Sequence, residues 1–87
     1  MHEFSLINDL MGKITDIARE NNARRVVGVQ VALGALAHIS AGHFREHFEQ
    51  AAAGTLAEGA RLEIRALEDE TDPHAQEIRL EGVEVEE

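Results

Sequence analysis

Between Phe4 and Ala18 the apolar residues recur at Phe4, Ile7, Leu10, Met11, Ile14, Ile17 and Ala18, the spacing of one helical face. Asn8, Asp9, Lys13, Asp16, Arg19 and Glu20 take the other side. Glu3 suits the helix start, where the macrodipole favours an acid, and Asn21 and Asn22 suit its end. The pattern then changes period. Over Arg25–Leu33, Val27, Val29, Val31 and Leu33 share one face, and Val26, Gly28, Gln30 and Ala32 the other, which predicts a strand closed by Gly34. Ser40 is a good N-cap for a second helix ending at Gly54, with Phe44, Phe48, Ala51 and Ala52 as its buried stripe. A second strand is expected from Arg61 to Leu67, with Leu62, Ile64 and Ala66 inward. The third, over 77–86, changes phase: Ile78 and Leu80 are even, Val83 and Val85 odd. Gly82 sits at the switch and predicts a bulge or break there.

The order α-β-α-β-β predicts an α/β fold of two layers, with two helices on one face of a three-stranded sheet. Arg61, Glu63, Arg65, Glu77, Arg79 and Glu81 point the opposite way, onto a solvated face where cross-strand ion pairs are expected. Residues 68–76, with Pro73, are expected to join the last two strands as neighbours in a hairpin. No repeat or linker divides the chain, so residues 1–87 form a single domain.

Composition narrows the function. There are 17 acids against 8 bases, a net charge of −9. That argues against nucleic acid, which needs a cationic footprint, and against an anionic membrane surface. Cations would be attracted. With no cysteine, thiolate zinc sites and disulfides are excluded. No run approaches the ~18 apolar residues of a membrane span, and no signal peptide pattern opens the chain. The expected location is the cytoplasm.

The first residues carry distinctive chemistry. A free amine on Met1, the deprotonated amide of His2 and the His2 imidazole Nδ1 can chelate one metal through a five- and a six-membered ring. Nitrogen-rich tetragonal sites suit Ni(II) or Cu(II). The amide of Glu3, a water or a partner's side chain can be the fourth donor. The competing reading is an exposed terminal histidine with no role. His43 and His47, spaced i, i+4, point two imidazoles the same way and are candidate accessory ligands. The plain alternative is a pair of polar neighbours beside the Phe44–Phe48 stripe. His38 is expected in solvent. His74, in an acidic loop, is a further accessory candidate. No paired nucleophile and base and no phosphate loop emerge, so an enzyme is not expected. A metal-dependent hydrolase built on His43 and His47 would lack a third ligand.

MHEFSLINDLMGKI resembles the start of the HypA/HybF family of nickel-insertion proteins for [NiFe]-hydrogenase and urease. ARRVVGVQVALGAL is similar to that family's first strand, FREHFEQAAAGTLAEGARLEI to its second helix and next strand, and EIRLEGVEVEE to its closing strand. The resemblance implies a nickel metallochaperone holding one Ni(II) at Met1, His2 and Glu3. It would deliver the ion to a hydrogenase or urease maturation pathway with a HypB-type GTPase as partner. Family members normally carry a zinc ribbon with two Cys-x-x-Cys pairs where this sequence has only Glu68–Gln76, so no structural zinc of that kind is expected. A rival reading is a metal-independent adaptor that docks on maturation partners.

Overall fold

Each helix is delimited by local chemistry. The computed structural model describes residues 3–86, with side chains from Leu6 onward. Helix α1 spans Glu3–Glu20. Its end is closed where Asn22 takes φ 53°, a left-handed conformation that asparagine tolerates, and Ala23 N donates back to Ala18 O at 2.9 Å. Helix α2 spans Ala41–Ala52. Ser40 is extended, and its Oγ accepts from His43 N at 3.1 Å, satisfying one of the orphan donors of the first turn.

The strands are β1 (Arg25–Leu33), β2 (Arg61–Ala66) and β3 (Ile78–Glu86), in the spatial order β2-β1-β3. β1 is central, parallel to β2 and antiparallel to β3. The parallel pair requires a crossover, and α2 supplies it. The predicted element order and the two-layer sandwich of helices and sheet are therefore present. The predicted hairpin is not. β2 and β3 lie on opposite edges, so the segment between them crosses the end of β1. Leu67 N donates to Leu33 O, Gly34 N to Glu77 O and Leu36 N to Ala75 O, at 2.9, 2.9 and 2.7 Å.

The core gathers where the helices meet the sheet. Ile7, Ile14, Val26, Val29, Val31, Phe44 and Phe48 are its most completely buried large side chains, and no polar residue is buried with them among the described residues. Phe44 and Phe48 stack with ring centroids 6.4 Å apart. Two bulges set which strand residues reach this core. One lies between Val26 and Gly28 on β1, so Val26 faces inward with Val29, and Val27 is only half-buried. The expected assignment of these two valines is thus reversed. The other lies where Gln30 pairs with Gly82 and Val31 with Leu80, leaving Glu81 as the extra residue. It brings Ile78, Leu80, Val83 and Val85 all against the core, as the phase change at Gly82 predicted. Ala66, expected inward, is exposed at the end of β2.

On the opposite sheet face the arginines of β2 reach over the central strand. Arg61 Nη2 donates to Glu84 Oε1 at 2.8 Å, and Arg65 is bidentate on Glu81, with Nε to Oε1 at 3.2 Å and a second bond from Nη2 to Oε2. Both glutamates belong to β3. The span passes over Gly28, and a Cβ built there would lie 3.0 Å from Glu84 Oε1 and 3.2 Å from Arg61 Nη2.

Candidate metal-handling site

Topology fixes the direction of α2, the crossover between the parallel strands. Four residues join α1 to β1, and Arg24 N donates to Glu86 O at the far end of β3. Lys13, Asp16 and Ile17 of α1 share a groove of about 460 Å³ with Glu77 to Leu80, beside the end of β1. α2 runs antiparallel to β1, because it returns the chain to the start of a parallel strand. The amino-terminal end of α2 thus lies where β1 finishes and the segment after β2 crosses over.

Met1 and His2, and the side chain of Glu3, lie outside the described residues. Glu3 is the first residue of α1. Any donor set made by the first residues is therefore attached to a helix whose Ile7, Leu10, Met11 and Ile14 are buried in the core.

Of the other histidines, the fold keeps His43 and His47 together and places His38 and His74 in separate connecting segments. His43 is exposed in the first turn of α2, and His47 is half-buried one turn later. Their rings lie together, with centroids 4.5 Å apart and planes tilted by 34°, and both ring nitrogens of His47 are shielded from solvent. His47 is therefore not the exposed neighbour the helical pattern suggested. His74 is exposed in the crossing segment. Its amide donates to Asp72 Oδ1 at 2.7 Å, and its Nδ1 lies 2.9 Å from Glu77 Oε2. His38, exposed with φ 61°, lies in the β1–α2 connection. Among the described residues no three His, Asp or Glu side chains are assembled to hold a metal ion.

Two features at this end were not legible in the sequence. Arg45 Nη1 donates to Leu62 O at 3.0 Å and ties α2 to β2. Gly34 lies directly beneath the crossing segment, where a Cβ would be 2.1 Å from Ala75 O. The acidic loop is locally ordered as well. The Thr71 hydroxyl and amide both bond Asp69 Oδ1, at 2.6 and 2.9 Å, and hold its carboxyl below the usual carboxylate range.

Fold and candidate donors define a small α/β domain in which His43 and His47 meet on α2 while His38 and His74 lie in connecting segments. The model of the HypA family, described as "Hydrogenase/urease nickel incorporation, metallochaperone, hypA", matches residues 1–83, and the chain belongs to that family. It is 41% identical over 64 residues to the hydrogenase maturation factor HypA of Methylocella silvestris, covering 74% of this chain and 57% of that one. The Aquifex aeolicus HypA is 42% identical over 62 residues, covering 71% and 54%. The chain thus spans little more than half the length of these curated relatives. The solution structure of the Ni metallochaperone HypA from Helicobacter pylori superposes with a TM-score of 0.82 at 20% identity, covering 99% of this chain and 98% of that one. That likeness shows the fold.

Proposed function

We propose that this chain is a nickel metallochaperone and maturation factor that binds one Ni(II) through Met1, His2 and Glu3 and hands it on by ligand exchange. The observation carrying this reading is that the nickel-incorporation family model matches from residue 1, so Met1, His2 and Glu3 lie within it. The chemistry agrees. An amine, two deprotonated amides and an imidazole give the nitrogen-rich, tetragonal set that favours Ni(II). The ion is cargo, and no bond-breaking step is asked of the protein. The excess of 17 acids over 8 bases favours approach of a dication over the whole surface. The receiving pathway is that of a [NiFe]-hydrogenase or urease, a HypB-type GTPase is the expected partner, and the cytoplasm is the expected compartment.

The experiment is Ni(II) titration of protein with Met1 verified as the terminal residue. A residue placed before Met1 converts the amine donor into an amide and should weaken binding about as severely as His2→Ala. Both variants should unfold like the parent chain, since the altered positions precede the buried face of α1. Affinity should also fall as pH drops from neutral towards ~6, because amine and imidazole must shed protons to bind. Parent protein that takes up no nickel, while still docking on a HypB-type GTPase, would establish the metal-independent adaptor instead.

A further inference from the structure

We propose that the open edge of β3 docks a second copy of this chain, antiparallel, joining two sheets into one of six strands. β1 has a neighbour on both sides, so β2 and β3 are the edges. The two edges are not alike. Leu67 N turns towards Leu33 O, so alternation leaves the Leu62 carbonyl on the outer side of β2, where Arg45 Nη1 covers it at 3.0 Å. On β3, Glu77 O and Glu86 O both face β1, accepting from Gly34 N and Arg24 N. Alternation from these two anchors turns the backbone groups of Ile78, Leu80, Val83 and Val85 to the open side. Among the described residues no hydrogen bond reaches them there. A strand of nine residues with such an edge is a template for another strand.

The occupant follows from charge and face. Antiparallel pairing of residues 78–85 with the same residues of a second copy sets Ile78 against Val85 and Leu80 against Val83. These four carry the open backbone groups, so each pair exchanges two hydrogen bonds, and all four side chains lie on the core face. Between them Arg79 stands opposite Glu84 on the solvated face, twice about the two-fold axis, in the pairs where side chains come closest. Glu81 meets Gly82, so the bulges of both strands coincide. No like charges face each other within these eight residues. The neighbouring register that keeps the faces sets Glu81 against Glu84 twice. Arg79 is exposed and makes no ion pair among the described residues. Glu84 bonds Arg61 through Oε1 and Gln30 through Oε2, and its carboxylate keeps lone pairs for a further donor. Beyond the eight, Glu86 meets Glu77, where Arg25 and His74 already bond the two carboxylates. The groove between α1 and residues 77–80 borders the same stretch, so Val83 and Val85 of the second copy lie beside it. One strand pair is a small interface, and a net charge of −9 on each chain opposes approach, so the dimer is a weak one.

The test is sedimentation equilibrium of the full chain in moderate salt, with amide hydrogen exchange at low and high protein concentration. The parent should pass from monomer to dimer in the upper micromolar range, and the amides of Ile78, Leu80, Val83 and Val85 should gain protection with it. Arg79→Glu and Glu84→Arg each set like charges in both facing pairs and should each weaken the dimer by about tenfold or more. An equimolar mixture of the two variants restores opposite charges in both pairs and should dimerise like the parent. Glu84→Arg gives up the bond from Arg61, so circular dichroism must show it folded. If it is not, Arg79→Glu, which breaks no ion pair among the described residues, decides together with the exchange data. A parent that stays monomeric, or a dimer untouched by Arg79→Glu, overturns the inference. So does full protection of the four amides in dilute protein, which would show the chain covering its own edge. Protection gained only when a different protein is added would assign the edge to that protein instead. A mixture of folded variants that stays monomeric overturns the register.

Discussion

A Cβ at Gly34 would meet the backbone of Ala75 and His74, at 2.1 Å from Ala75 O, 2.5 Å from Ala75 C and 2.9 Å from His74 O. A Cβ at Gly28 would meet only the ends of the Glu84 and Arg61 side chains. Side-chain tips can swing aside, whereas a backbone segment held by hydrogen bonds cannot move without losing them. Gly34→Ala should therefore displace the crossing segment, sacrificing the bonds from Gly34 N and Leu36 N, at a cost of about 3 kcal/mol. Gly28→Ala should cost much less. Urea denaturation of the two variants side by side checks this, and equal midpoints would show that the segment does not bear on Gly34. The requirement for glycine here comes from a chain segment about forty residues away, which is why Gly34 read only as the end of a strand.

The elements were read well where the signal is local and poorly where it is not. The bounds of β1, the cap at Ser40 and the bulge beside Gly82 follow from side-chain period and turn chemistry within a few residues. The order of strands does not, since two edge strands with similar alternation say nothing about which neighbour each will pair. The exchange of Val26 and Val27 has the same origin. One inserted residue flips every side chain beyond it, and no glycine at position 27 marks the place. The central position of β1 also explains the charged straps. Arg65 donates to Glu81 and holds that carboxyl below the usual range, against a smaller opposing effect of desolvation. A carboxyl depressed in the folded state contributes stability that is complete above its unfolded pKa of about 4.3 and is lost as pH falls through the folded value. Stability should therefore hold from neutral pH to about 5 and decline below it. Arg65→Gln should remove the Glu81 share of that decline while leaving the share from Asp69, which Thr71 depresses independently. Thermal unfolding of both proteins across the acid range measures the difference. An Arg65→Gln profile parallel to the parent would show that the strap contributes nothing.

At the scale of the molecule, what the sequence could convey about the site was its chemistry rather than its geometry. Met1, His2 and Glu3 read as a candidate donor set, and the family match includes their positions. Where the other histidines lie depends on the crossover between parallel strands and on the crossing segment, and no local pattern records either. The spacing of His43 and His47 implied two equivalent imidazoles. In the structure they are unequal, His43 exposed and His47 half-buried with its ring nitrogens shielded.

The strand order has one more consequence, for connectivity. Among the described residues β3 has no backbone ladder with β2; its ladder is with β1. The peptide link from Glu68 to His74 runs through exposed or half-exposed residues. A protease nick there would leave residues 78–86 as a donated strand, seated in the antiparallel register of β1 and pressed on the core by Ile78, Leu80, Val83 and Val85. The two pieces should co-elute as one folded unit and unfold with a midpoint that rises with protein concentration, because refolding has become bimolecular. Fragments that separate at once on gel filtration would show that the covalent link is what keeps β3 in place.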